Sequence, residues 1–593
     1  MQTAFTNFWP ETLRRRLLVS VLVAPAVFAT SAGYAQTLGD DAKVELASVD
    51  AATTSQVLES DALASETIAA ELNAKSIELA EATEKFSKAT NDKLDRADRA
   101  GIAAFYEDNG YQKVWIKDGK LNKEALALVD EMSRADHIGL NPADYVAPSL
   151  SVTADVAEIE LFAAELEMSL AAVRFARHIA SGRLEPLKVS ASLDIHPQRP
   201  NAKSVLADLS IADNPVVELN DYHPKHAAYK ALLEELETIR TQKVEKQIVV
   251  PKGKMLKPGM SDPRVPLLRA RLKIDIPELE VAQDATEEEI KAAAATGVDE
   301  TIYDEALVEA VKEFQKSEGL SQDGIVGPST LRTLNGANGV DRKAQIIVNL
   351  ERWRWMPKDL GEFHILANIP EYRVYVKKGD EVRHTTRVVV GKTKHKTVAF
   401  SDEMEHFVVN PSWGVPQSII KNEMLPSARS NPSYFSRKGY QVFARIRGKT
   451  RRIDPNRVNW RRVNASQISV RQPPGARNAL GQIKFMFPNK HAIYMHDTPS
   501  KSLFKRDSRA FSHGCVRIHN PMEFADAILE NEPDWNSSRI KKMIGRKEAT
   551  VNFNKHIPVH IAYFTTIVKE DGSLKYLADV YGHDRKMVAA LSL

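Results

Sequence analysis

Apolar residues change their spacing partway along this chain, and that change limits the architectures open to it. Up to about Val250 they recur at helical intervals, as in Ile159, Phe162, Leu166, Leu170 and Val173, then Leu232, Leu236 and Ile239. From Asp341 onward they alternate. Ile365, Ala367 and Ile369, then Tyr372, Val374 and Val376, have the two-residue period of half-buried strands. Val388-Val389-Val390-Gly391 and Pro558-Val559-His560-Ile561-Ala562-Tyr563 read as further strands, and a helix is expected near Met522–Leu529. With 593 residues the chain also exceeds what one hydrophobic core organises. The expectation is a multidomain α+β protein: a helix-rich scaffold over 96–255 and a β-rich domain of mixed sheets or a β-sandwich over 341–593, carrying an inserted helix.

A smaller helical unit is expected between them, over 256–338. It opens with Val265, Leu267, Leu268 and Leu272 and closes with Val311-Lys312-Glu313-Phe314-Gln315, Gly319-Leu320, Asp323-Gly324-Ile325-Val326-Gly327-Pro328 and Thr330-Leu331. Pro328 just inside a short helix, after turns at Gly324 and Gly327, is sound helix-start chemistry. The stretch from Ile276 to Ile302 looks like an insertion. The N-terminus follows another logic. Arg14-Arg15-Arg16 precede an apolar run from Leu17 to Thr30 and small residues ending at Ala35, the order of a secretory signal peptide over 1–35. The apolar run is shorter than the ~20 residues that span a bilayer, so cleavage is favoured over anchoring. Residues 36–95, rich in Ala, Ser and acidic side chains, read as a flexible or partly helical linker. The formal net charge of +3 gives no reason to expect a whole-chain nucleic-acid binder.

Cys515 is the one cysteine, so an exported chain has no internal disulfide to make. A lone cysteine is most often an inert buried side chain, but its neighbours here are reactive types. The segment Ser512-His513-Gly514-Cys515-Val516-Arg517 follows Tyr494-Met495-His496-Asp497-Thr498. Tyr494 and His496 share one face of an apparent strand, and the 15 residues before Ser512 allow a loop to return the histidine to the thiol. An imidazole can take the thiol proton or hold a thiolate–imidazolium pair. Backbone N–H groups at Gly514 and Cys515, with the Tyr494 hydroxyl, would stabilise the oxyanion. Zinc is the rival reading for His496, His513, Cys515 and His519, but no second cysteine or ligand pair supports it. No metal and no cofactor are expected.

At these residues the chain resembles the L,D-transpeptidase catalytic family, whose signature is a histidine, a spacer, then Ser/Thr-His-Gly-Cys and a nearby Arg. The likeness extends through Asn410-Pro411-Ser412-Trp413, through Asn478, Leu480-Gly481 and Phe485-Met486-Phe487-Pro488-Asn489, and to Tyr581-Gly582-His583-Asp584. The unit over 256–338 resembles a small peptidoglycan-binding module, and the whole resembles the long periplasmic subclass. That resemblance implies Cys515 as nucleophile and His496 as general base, with His513, Gly514 and Tyr494 shaping the oxyanion site and Ser512 orienting the imidazole. Arg517, Trp413 and Asn478 would bind or position substrate; a structural ion pair is the alternative for Arg517. It further implies a tetrapeptide donor losing D-Ala, a diaminopimelate acceptor, 3→3 crosslinks, acylation by carbapenems, and a periplasmic location with possible envelope-protein partners.

Residues 415–472 are basic and aromatic, with Arg445, Arg447, Arg451, Arg452, Arg461 and Arg462 interleaved with Tyr434, Tyr440, Phe443 and Trp460. Out of context this pattern suggests nucleic acid. Export argues against that, and the resemblance to the long subclass implies a capping lid over the active site, with a solvated basic loop as the alternative. Three other functions stay open on sequence: hydrolysis by the same acyl-enzyme as an L,D-carboxypeptidase or endopeptidase, transfer to a lipoprotein lysine, and wall binding by a catalytically dead scaffold.

Overall fold

The computed structural model describes residues 51–149, 157–241, 248–275, 299–318, 320–335 and 341–593. The expected signal peptide, the start of the linker, Gly319 and residues 276–298 of the expected insertion lie outside the described residues. Residues up to Ala74 form one unit, helical where described, and Lys75–Leu593 form the other. No helix among the described residues is long and apolar enough to cross a membrane.

Helix α1 (Ala51–Lys88) occupies much of the expected linker, and its end is packed rather than free. Leu79 and Thr83 are buried there, and Leu79 and Phe86 join the scaffold core. That core is built by α2 (Lys93–Asp108), α3 (Lys123–Ser133), α4 (Glu158–Ser181) and α5 (Ala202–Ile211). Asp92 caps α2 by accepting from the N–H groups of Leu94 and Asp95, so the helix starts three residues before the expected boundary. Helix α6 (Ala227–Thr241) departs from the expected division. Its Tyr229, Leu232 and Leu236 pack into the core of the β-rich domain.

The small unit is held by Leu256, Val265, Leu268, Tyr303, Leu307, Val311 and Val326. These come from α7 (Val265–Leu272), α8 (Glu305–Ser317) and the turns around α9 (Pro328–Leu334). Helix α10 (Arg342–Trp355) follows, and every residue from Ala344 to Trp355 is buried. A surface helix buries one stripe, whereas α10 is enclosed. Several of its polar side chains are paired. Arg352 pairs with Asp584 at 2.6 Å, Arg354 donates to the Ile138 carbonyl, and Asn349 donates to Thr565. Glu351 accepts the Leu184 N–H where α4 ends, and a Cβ at Gly182 would lie 2.5 Å from the Glu351 carboxylate.

The β-rich domain contains β1 (Phe363–Asn368), β2 (Arg373–Lys378), β3 (Glu381–Gly391) and β4 (Phe400–Val409) before a long insertion. After it come β9 (Ile483–Met486), β10 (Met495–His496), β11 (Ala510–Ser512), β12 (Val516–Ile518), helix α11 (Pro521–Ile528) and β13 (Ala549–Ala562). These strands form one nine-stranded mixed sheet in the order β11-β3-β12-β10-β9-β4-β13-β1-β2. Strand β3 also pairs with β2, so the pairings close on themselves. Phe485, Phe407, Val516, Met495 and Ile561 fill the interior with α11 against them.

The insertion is a folded subdomain. Strands β5 (Trp413–Gly414), β6 (Gln441–Ile446), β7 (Lys449–Ile453) and β8 (Ile468–Gln472) form a separate sheet, ordered β5-β8-β6-β7. Short helical turns over 417–437 cover it, enclosing Ile420, Met424, Leu425, Phe435, Val442, Trp460 and Val470. Its cations stay on the outside, Arg445, Arg447, Arg451 and Arg452 all being exposed.

Candidate functional site

Two short parallel strands set the site. Met495 pairs with Val516 and His496 with Arg517, and the same register carried back one residue sets Tyr494 beside Cys515. Alternation then places Tyr494, His496, Cys515 and Arg517 on one face of the sheet. On the next strand Lys484 pairs with His496, so Lys484, His496 and Arg517 form a row across three strands. The Tyr494 and His496 rings lie 5.7 Å apart, and the Lys484 ammonium lies 5.9 Å from the Tyr494 ring.

His496 is buried at 4% exposure, and its Nδ1 bonds the Asp497 carbonyl. A carbonyl only accepts, so Nδ1 carries the proton and Nε2 keeps its lone pair. Burial, helped by the Arg517 charge, brings the imidazole down to about 3, against the weaker upward pull of the Asp497 carbonyl. It is therefore neutral near physiological pH, with a lone pair on Nε2.

The Cys515 thiol is partly accessible and donates towards the Ala492 carbonyl at 3.7 Å. Desolvation by the surrounding protein pushes it up to about 11, although Tyr494 and Arg517 pull it back. No hydrogen bond joins Cys515 to His496 among the described residues. The two occupy diagonal positions on one sheet face. A resting thiolate–imidazolium pair is disfavoured by both shifts. Proton transfer accompanying attack is the chemistry this pair can perform.

Burial raises the Tyr494 hydroxyl, which lies against Cys515 and the half-buried Trp413. Arg517 has no carboxylate partner among the described residues, and its buried Nε makes no hydrogen bond. Among the described residues the ion-pair alternative finds no support.

The turn before Cys515 is fixed from behind. Ser512 Oγ donates to the Cys515 carbonyl at 2.6 Å and accepts the Gly514 N–H at 3.1 Å. Ser512 thus shapes the turn and makes no bond to the imidazole it was expected to orient. The Gly514 N–H is also engaged, which leaves the Cys515 N–H as the backbone donor of the expected pair. Gly514 has φ +120°, a conformation open to glycine alone. Thr397, fully buried, donates from Oγ1 to the Gly514 carbonyl at 2.6 Å and accepts the Gly391 N–H. A trans peptide points its C=O and N–H in opposite directions, so this bond turns the Cys515 N–H away from Thr397. Tyr581 completes the support, its hydroxyl accepting the Thr397 N–H and donating to the Gly391 carbonyl.

His513 points away from the thiol towards the subdomain, where Nε2 bonds Glu423, and its ring lies 4.8 Å from His395. Lys392 meets the same carboxylate at 3.6 Å. Burial favours a protonated Glu423, but His513 and Lys392 hold its carboxyl below the usual value. Asn478 differs from its expected role. It is 1% exposed and its amide donates to the carbonyls of Pro411, Gln472 and Pro473, while its oxygen accepts the Leu480 N–H. It ties together the two ends of the insertion and presents nothing to a ligand. His519 packs 4.8 Å from Phe504. His496, His513, Cys515 and His519 do not converge, and no group of three metal-ligand side chains gathers among the described residues. Thr397, Glu423, Lys484 and Lys392 escaped sequence reasoning, because no local spacing distinguishes them.

Helical scaffold, small helical module and closed β domain define a multidomain α+β protein with a thiol and an imidazole on one sheet face. Residues 362–541 match the family described as the L,D-transpeptidase catalytic domain. Residues 100–236 match the scaffold domain, and 290–334 match the family described as "Putative peptidoglycan binding domain". Three segments of the chain thus match, in order, a scaffold domain, a putative peptidoglycan-binding domain and an L,D-transpeptidase catalytic domain. A Haemophilus influenzae protein named "Putative L,D-transpeptidase" is 33% identical over 248 residues, covering 41% of this chain and 48% of that one. The chain thus spans about half the length of this curated relative. An L,D-transpeptidase structure from Mycobacterium smegmatis is 13% identical over 34% of this chain and 58% of its own, with a TM-score of 0.17. One from Xylanimonas cellulosilytica is 13% identical over 52% of this chain and 98% of its own, with a TM-score of 0.15. Overlays at these scores do not establish a common fold.

Proposed function

We propose that this protein is a periplasmic L,D-transpeptidase that forms 3→3 crosslinks between peptidoglycan stems through a thioester on Cys515. The observation that carries the reading is the single sheet face bearing Tyr494, His496, Cys515 and Arg517, inside a segment that matches the catalytic family. His496 Nε2 takes the thiol proton as sulfur attacks the carbonyl of the third stem residue. The Cys515 N–H and Tyr494 hydroxyl receive the oxyanion. On collapse the C–N bond to D-Ala breaks, and the imidazolium returns its proton to the leaving amine. A diaminopimelate side-chain amine then attacks the thioester, His496 takes that proton, and the departing sulfur recovers it. Arg517 binds a stem carboxylate, Trp413 walls the entrance, and the folded subdomain over 415–472 acts as a lid that limits water. The match to a peptidoglycan-binding domain supports a location at the wall. Carbapenems are expected to acylate the same thiol.

Purified enzyme incubated with disaccharide-tetrapeptide should give crosslinked dimer and free D-Ala by mass. Tripeptide without dimer would overturn transfer to an amine in favour of hydrolysis.

A further inference from the structure

A cleft of about 800 Å³ separates the small helical module from the β-rich domain. One wall is the module surface from Glu318 to Thr333. The other is made by the start of β2, the end of β3 with Lys392 and Thr393 just beyond it, the segment 505–510 and the segment 575–580. The walls are joined by defined bonds. Ser321 donates from both N–H and Oγ to Asp507 at 3.1 Å, and the Lys575 ammonium donates to the Glu318 carbonyl at 2.6 Å.

Eight basic side chains line this cleft against four acidic ones. Arg332, Arg373, Arg387, Arg506, Arg509 and Lys575 are central to the imbalance. The ion pairs these eight make among the described residues are Arg373 with Glu371 at 3.9 Å, and Lys392 with the lid's Glu423. Arg509 sits 5.1 Å over the Tyr372 ring and donates to the carbonyls of Val388, Arg506, Glu371 and Tyr372, with no carboxylate. Burial and the neighbouring Arg387 bring it down to about 10, against the weaker upward pull of Tyr372 and Asp507, so cations outweigh acids in this cleft. Burial lowers Lys575 as well.

The cleft runs to the edge of the catalytic turn. Lys392 and Ala510 line it, the Lys392 N–H donates to the Ser512 carbonyl at 3.0 Å, and β11 leads from Ala510 into the motif. The structure assigns this cleft, we infer, as a second binding site for the wall polymer. It takes a carboxylate-bearing stem of the same strand that presents its reacting stem to Cys515. The inference rests on the proposed function. It adds that recognition of polymer is separable from recognition of the reacting peptide.

The test uses the full chain carrying Arg332→Glu and Arg506→Glu, two exposed positions on opposite walls. Retention on purified sacculi is measured in a Cys515→Ala background, and turnover of soluble disaccharide-tetrapeptide with Cys515 intact. Placing like charge against the ligand should cut sacculus retention at least about tenfold, and parental retention should fall as salt rises. Turnover of the small substrate should stay within about twofold of the parent, since neither residue touches the thiol site. Unchanged retention would overturn the proposal, as would a parallel loss of small-substrate turnover or equal displacement by duplex DNA and soluble wall fragments. Parental retention on sacculi without any tetrapeptide turnover would instead remove the catalytic reading and leave the cleft standing.

Discussion

At the scale of single residues, the account turns on two neutral partners that exchange a proton only during reaction. Burial and Arg517 keep His496 unprotonated, and burial keeps Cys515 a thiol, with about 11 for the thiol and about 3 for the ring. Iodoacetamide alkylation of Cys515 should therefore be slow at neutral pH and keep climbing as pH rises towards 11; a plateau reached near neutrality would mean a resting ion pair. Thr397→Val keeps the volume and removes the hydroxyl that holds the Gly514 carbonyl. Acylation should fall by about 10²-fold as the Cys515 N–H loses its aim, with folding retained by circular dichroism. Acylation at the parental rate would show that the turn holds itself. The thiol, imidazole and arginine were legible in sequence because they lie within a short stretch whose spacing encodes their shared face. Thr397 and Tyr581 were not, since each reaches the turn from a distant strand or loop. Asn478 was misread because a polar residue in a family-like stretch looks the same in sequence whether it faces substrate or backbone.

At the scale of elements, the inserted subdomain is joined to the turn before Cys515 through a carboxylate. Glu423 reaches both His513, two residues before Cys515, and Lys392. Glu423→Gln removes the charge while keeping the shape. It should raise the share of acyl-enzyme lost to water several-fold over amine transfer, read as the tripeptide-to-dimer ratio, because a loosened lid admits solvent. An unchanged ratio would mean that the subdomain's own packing sets its position. Alternation revealed the strands of the β domain, since one face of each must be apolar. The same reasoning could not place α10, whose enclosed position is matched by Arg352–Asp584 and Asn349–Thr565 bonds rather than by an apolar stripe. Nor could it resolve the lid's separate sheet, because exposed arginines mask the short apolar alternation of Val442, Ile468 and Val470.

At the scale of the whole molecule, several histidines are buried neutral in both the scaffold and the β domain. Burial brings His223, His496 and His583 down to about 3 and His560 to about 4, from an ordinary 6.5. The unfolded chain takes up protons below 6.5 that the folded chain refuses. Stability is thus complete above that value and lost as pH falls towards 4, by at most about 1.4 kcal/mol per pH unit for each ring. Thermal unfolding should show a level Tm from pH 7 to 8 and a steady decline from 6.5 to 4.5; a level Tm down to 4.5 would contradict the burial argument. The division into helical and β-rich parts followed from the change of period, but their interlocking did not, because α6 supplies Tyr229, Leu232 and Leu236 to the β core across more than a hundred residues of chain. The central claim, a thioester on Cys515, is tested most directly by acid-quenching the enzyme with a tetrapeptide donor and mapping the adduct by peptide mass spectrometry. The account predicts one adduct, on the peptide bearing Cys515, with the mass of the donor less D-Ala, and none in Cys515→Ala. An adduct on any other residue, or turnover surviving in Cys515→Ala, would contradict it.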